Sequence, residues 1–134
     1  MKQVSLSILI AVALLLAACS EKKKNVDQGK LAAKAAKHYY EQLLEGDYEA
    51  FLDNENRTNN LPDNYRKQLL LNLKQFVTQQ DSVHHGIDSI TLGASHFSAK
   101  DNTASVFLLF CYGDKTTEQV VVPMVKAHGK WILR

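Results

Sequence analysis

At Gly86 the hydrophobic period of this chain changes, and that change narrows the folds open to it. Before Gly86 apolar residues recur at intervals of three and four; after it they alternate or run together. Leu31, Ala35, Tyr39 and Leu43 predict a first helix, with Lys30, Lys34, Lys37 and Glu41 on its wetter side. Asn25 reads as its N-cap, Gln28 as the reciprocal residue three positions on, and Gly46 as its left-handed stop. Asp47 then caps a short helix, "DYEAFLD", whose Tyr48, Phe51 and Leu52 need a neighbour. "NENRTNN", Asn54 to Asn60, reads as a surface loop. Pro62 opens a third helix where its missing N–H costs nothing, with Tyr65, Leu69, Leu70, Leu73, Phe76 and Val77 as its stripe and Gly86 as its end.

Four strands follow. "IDSITLGASHF" alternates loosely, whereas "TASVFLLFCY" is apolar on both faces and reads as a central strand. Gly113-Asp114-Lys115 turns the chain into "TTEQVVVPMVKA", where Pro123 predicts an edge position or a bulge. His128-Gly129 turns it again into "KWILR". Helices first and a short-connected meander afterwards predict an α+β domain: N-terminal helices packed on one face of a curved, four-stranded antiparallel sheet.

The segment "YYEQLLEGDYEAFL", Tyr39 to Leu52, resembles the helix, Gly-Asp, helix opening of small bacterial lipoproteins of the nuclear transport factor 2-like (cystatin-like cone) superfamily. "VVVPMVKAHGKWIL" is similar to the closing hairpin of the same proteins, and the likeness spans most of residues 26–134. It implies helices wrapped around a concave sheet. The motifs that carry it are structural, and the lipoproteins it points to are largely of unknown function.

The first eighteen residues have the order of a signal peptide: Lys2, an apolar run from Val4, and small residues ahead of Cys19. Leu16-Ala17-Ala18-Cys19 resembles the bacterial lipobox, which implies cleavage between Ala18 and Cys19 and fatty acylation of the Cys19 thiol. The expected organisation is therefore a leader over 1–18, a lipidated tether over 19–25 and a cone domain over 26–134. The alternatives are an ordinary signal peptide with an incidental cysteine, or an uncleaved anchor. Such lipoproteins carry more than one acyl chain, which turns marginal attachment into stable anchoring. Ser20 is not the Asp that retains many lipoproteins at the inner membrane, so the expected place is the outer membrane of a bacterial envelope, facing either side.

Formal net charge is +2, and Lys2 leaves with the leader. No dense basic face suggests nucleic acid. Lys22-Lys23-Lys24 reads as a solvated spacer or as a contact to anionic lipid headgroups. With Cys19 acylated, Cys111 stands alone inside "VFLLFCY" and reads as a small buried hydrophobe. His84 and His85 are adjacent, His96 and His128 stand apart, and no pair has i, i+4 spacing, so neither a metal nor another cofactor is expected.

An isomerase-like site in a cone needs a carboxylate base and a tyrosine or protonated acid aimed at an oxyanion. Tyr39, Asp88 and Glu118 are the candidate ligand-binding residues, although Asp88 and Glu118 sit near strand starts. That placement favours a non-enzymatic, lipid-anchored protein that binds a partner or small ligand. A pocket isomerase or cyclase and a structural subunit of an envelope complex are the alternatives. The second apolar face of Val106 to Tyr112 calls for a covering, either a second copy or an envelope protein.

Overall fold

The computed structural model describes residues 27–57 and 60–134. The leader, Cys19, the lysine run and Asn25 lie outside the described residues. Three helices, α1 (Gln28–Leu44), α2 (Tyr48–Asp53) and α3 (Asp63–His84), precede β1 (Ile87–Ser98), β2 (Thr103–Tyr112), β3 (Thr117–Ala127) and β4 (Lys130–Leu133). The strands form one antiparallel meander in the order β1-β2-β3-β4. The expected α+β architecture is present, with β2 an interior strand. Among the described residues no helix is long and apolar enough to cross a membrane.

The cap of α1 is Asp27, not Asn25: its carboxylate accepts the Lys30 N–H at 3.2 Å. Gln28 consequently serves another end. Its side-chain oxygen accepts from Lys126 Nζ at 3.2 Å and Trp131 Nε1 at 3.1 Å. The buried face is also turned from the expected stripe. Ala32, Ala33, Ala36, Tyr39 and Leu43 face the sheet, while Leu31 is 41% exposed. Alanine wins the inner face because its short side chain lets the helix axis approach the strands closely. Gly29 shows how close: a Cβ there would lie 2.8 Å from Ser95 Oγ.

The sheet's inner face carries Ile90, Ala104, Val106, Leu108, Phe110, Tyr112, Val122, Met124, Trp131 and Leu133, which form one core with α1 and Phe51. β1 has register shifts between Ile87 and Ser89 and between Leu92 and Ser95. These irregularities bend and twist the strand. Pro123 occupies neither an edge strand nor a bulge: β3 lies between β2 and β4, and its register with β2 is unbroken. β4 pairs β3 only from Met124 to Ala127, and Arg134 N donates to the Pro123 carbonyl at 3.0 Å. The proline's missing N–H therefore faces Arg134, one residue past the end of β4, so no bond of the Met124–Ala127 ladder is lost.

Two further expectations change. Part of the Asn54–Asn60 loop is tied to the sheet. Glu55 bridges Leu133 in parallel, Asn56 N donates to the Leu133 carbonyl at 2.7 Å, and Leu133 N donates to the Asn54 carbonyl at 2.8 Å. Three loop residues thus close the outer edge of β4. Helix α3 contains no fully buried residue; Leu73, Phe76 and Val77 are half-buried against the core, and Tyr65 is 53% exposed. It ends at His84, with His85 and Gly86 both left-handed (φ 58° and 83°).

Candidate functional site

The three residues singled out in the sequence go to three different places. Tyr39, in the middle of α1, is buried, and its hydroxyl donates to the Trp131 carbonyl at 2.6 Å. Burial raises its pKa, so the phenol stays neutral and structural. Asp88 is exposed near the start of β1, with Glu41 of α1 and Glu45, the cap at its C-terminus, lining the same shallow hollow of about 220 Å³. Glu118, near the start of β3, accepts a hydrogen bond from Tyr112. They share no cavity, so no base and oxyanion donor converge through them.

What the fold does assemble around Glu118 is a polar knot at one end of the sheet. The His84 ring stacks on Tyr112, with centroids 4.1 Å apart, and its Nδ1 lies 3.0 Å from Asp114 Oδ2. Thr116 donates to the other Asp114 oxygen from its hydroxyl and its backbone N–H. These donors, the Thr116 hydroxyl foremost, hold Asp114 down at about 2. Burial, then the Glu118 carboxylate, push the Tyr112 phenol up to about 12. Backbone bonds join the same pieces: Asp114 N donates to the His84 carbonyl and Gly113 N to the Gly86 carbonyl, each at 2.9 Å. The knot fastens the end of α3 to the β2–β3 turn. His84, in the last turn of α3, thus pairs with Asp114 across the junction.

An apolar cleft lies elsewhere. Tyr40 and Leu43 of α1, Phe51 of α2, Glu55, and Leu73 and Phe76 of α3 line a cleft of about 270 Å³. The rings of Tyr40 and Phe51 meet edge to face at 5.1 Å, and Tyr40 also touches Phe110 at 5.5 Å. The Tyr40 pKa is raised by burial and then by the Glu55 charge. Burial also raises the Glu55 carboxyl, with Arg57 pulling the other way. A second hollow of about 200 Å³ shares Glu55 and continues past Arg57, Leu61, Tyr65 and Leu69. A larger recess along α3, about 420 Å³ between Leu71 and Val83, has walls from that helix alone and encloses nothing. In the sequence Tyr40 belongs to the aromatic-polar run His38-Tyr39-Tyr40 and reads as a residue flanking the core near the surface; the structure half-buries it in this cleft. Sequence reading passed over Glu55, which sits in an all-polar run with no local sign of burial.

The sheet's other face holds a third feature. Phe107 and Val121 are cross-strand partners on it, flanked by Leu109, Cys111, Val125 and Ile132. Val121 is 55% exposed. Cys111 is a free, half-buried thiol on this face, with Ser89 and Thr117 as cross-strand partners, and so lies outside the inner core.

Three helices on the concave side of a four-stranded meander is a known architecture, and one comparison identifies it. No family model matches the sequence, and no curated protein does. A solved structure from Campylobacter jejuni, described provisionally as an NTF2-like transpeptidase, superposes with a TM-score of 0.60 at 13% sequence identity. The match covers 75% of this chain and 94% of that one. The domain has the NTF2-like fold. At that identity the likeness speaks for the fold alone. Within the NTF2-like frame, α1 is the helix that packs across the sheet, and the Tyr40–Glu55 cleft opens where α2 and α3 meet it.

Proposed function

We propose that this chain is a lipid-anchored envelope protein whose NTF2-like domain binds rather than catalyses, and that it docks a second copy of itself through the outer face of its sheet. The observation that carries the reading is the composition of that face. Phe107, Leu109, Val121, Val125 and Ile132 form its centre, and Ser105, Thr117 and Gln119 surround them. Lys130 and Arg134 stand at the rim by β4, and on the β1 side the His96 ring meets Phe107 edge to face at 5.8 Å. A two-fold interface sets a patch against its own image, so an uncharged patch meets no like charge and an apolar one removes area from water. The scatter of Tyr39, Asp88 and Glu118 speaks against an isomerase or cyclase built on them. The transpeptidase activity attached to the Campylobacter jejuni protein gains no support from Cys111, whose cross-strand partners are serine and threonine.

Acylation at Cys19 would hold each copy on an outer-membrane leaflet, with a short tether keeping the domain near the lipid. Sedimentation of the full chain, extracted from membranes in detergent, tests the docking. A dimer is expected, reduced to monomer by Val121→Glu with circular dichroism unchanged, since Val121 is already exposed in the single copy. A parental protein that is monomeric throughout, or that crosslinks through this face only to a different protein, rejects the second copy as occupant.

A further inference from the structure

We infer that the end of the domain where α1 begins is a membrane-contact surface that rests on anionic lipid headgroups. The inference rests on the Cys19 anchor proposed above and adds to it the face that the domain turns to the lipid. Three segments meet at this end. Gly29 lies against Ser95 near the close of β1, and Gln28 accepts from Lys126 Nζ near the close of β3. Lys126 N donates to the Asn102 carbonyl at 2.9 Å, which brings in the turn between β1 and β2. Lys30, Lys34, Lys100 and Lys126 are therefore gathered at one end of the sheet, the first three exposed. None of the four ammonium groups has a carboxylate partner among the described residues.

Charge divides along the strands. Among the described residues the acids at the basic end are Asp27 and Asp101, and both are engaged: Asp27 caps α1, and Asp101 accepts from the Ser98 hydroxyl at 3.5 Å. The far end reverses the balance. Glu41, Glu45 and Asp88 line one hollow, and Asp114 and Glu118 flank the β2–β3 turn, with Lys115 between them. β2 alone has 10 residues, so the two ends stand about 30 Å apart. Exposed charges are screened within about 8 Å at physiological salt. The acidic end therefore does not cancel the attraction between the lysines and a negative surface.

Two features favour lipid over a soluble acidic partner. Leu31 and Phe97, 41% and 39% exposed, are large apolar side chains at the same end, and Phe97 packs edge to face on Trp131. Apolar side chains set among lysines suit the boundary between headgroups and acyl chains, which is wet on one side and dry on the other. The tether is the second feature. Asp27 stands eight positions after Cys19, a reach of at most about 28 Å, and Lys22, Lys23 and Lys24 lie along it. It enters the domain at the basic end, so a lipid on Cys19 brings these lysines to the bilayer first.

Lysine acetylation, followed residue by residue in the mass spectrometer, tests the surface. The full acylated chain is placed on phosphatidylcholine vesicles with or without about 30% phosphatidylglycerol. Lys30, Lys34 and Lys100 are expected to react about threefold more slowly on the anionic vesicles, and Lys115 equally on both. Salt at about 0.5 M should erase the difference. Lys34→Glu combined with Lys100→Glu, both exposed, should return Lys30 to its rate on neutral vesicles with circular dichroism unchanged. An acylated chain that floats with both vesicles yet shows equal rates at Lys30, or slows as much at Lys115, overturns the inference and leaves the anchor standing. A chain without lipid that floats with neither overturns the anchor, and the inference falls with it.

Discussion

The Tyr39 hydroxyl donates to the Trp131 backbone carbonyl at 2.6 Å, joining the middle of α1 to β4 across 92 residues of sequence. The bond is buried, and it gives the phenol a structural partner. Tyr39→Phe would leave the carbonyl without its donor. The expected loss is about 1–2 kcal/mol, read from urea unfolding, with dimerisation unchanged. A variant as stable as the parent would remove this bond from the list of tertiary ties.

Two glycines with short contacts should respond differently to alanine. A Cβ on Gly113 would lie 2.3 Å from the His85 carbonyl oxygen, and that oxygen belongs to a backbone fixed by the knot below α3. Gly113→Ala is expected to destabilise by about 1–3 kcal/mol. A Cβ on Gly29 meets the Ser95 hydroxyl, the end of a side chain that can rotate, and alanine favours the helix by about 1 kcal/mol. Gly29→Ala should therefore be close to neutral in the same melts. Equal losses at both positions would contradict the distinction.

Glu55 makes stability depend on pH in a direction opposite to most carboxylates. Its folded pKa is raised above the ordinary carboxyl value of 4.5, so between that value and the folded one the native state holds the extra proton. Stability consequently falls as pH rises through the window, and the effect is absent below it. Asp114, held down at about 2, behaves conversely: its contribution is present above 3.8 and lost as pH falls towards 2. Comparing the parent with Glu55→Gln isolates the first trend. The variant should gain relative stability from about pH 4.5 upward and match the parent in more acid solution. A difference that grows on acidification would reverse the assignment.

Membrane attachment is expected to depend on the Cys19 thiol. Cys19→Ser should abolish acylation, seen as loss of the lipid mass increment, and stop cleavage at Ala18. An unmodified, full-length parental protein would remove the anchor from the proposal.

How far the sequence could be read differs from element to element. Gly46, Gly86 and Gly129 all take positive φ, where they were expected to end helices or turn a strand. His128 with Gly129, φ 52° and 75°, gives the left-handed pair that a tight hairpin needs. β2 is interior because its residues are apolar on both sides. These are local properties, set by backbone sterics and by the period of a single segment. Leu31 shows where that reading stops. A helical pattern fixes which residues share a face but not which face goes inward, and the alanines of α1 displaced Leu31 because the sheet comes so close.

The polarity pattern of this chain by itself determined the order of helices and strands, the turns between them and the α+β class, because each depends on neighbours a few residues apart. Only the tertiary structure decided that Asn54–Asn56 would close the edge of β4, that Glu55 would face an aromatic cleft, and that Tyr39 would be tied to Trp131 while Tyr40 lines the hollow. Those outcomes require segments distant in sequence to meet. Once they meet, the closeness of the opposing backbone and the loss of water, rather than residue type, set what each side chain can do.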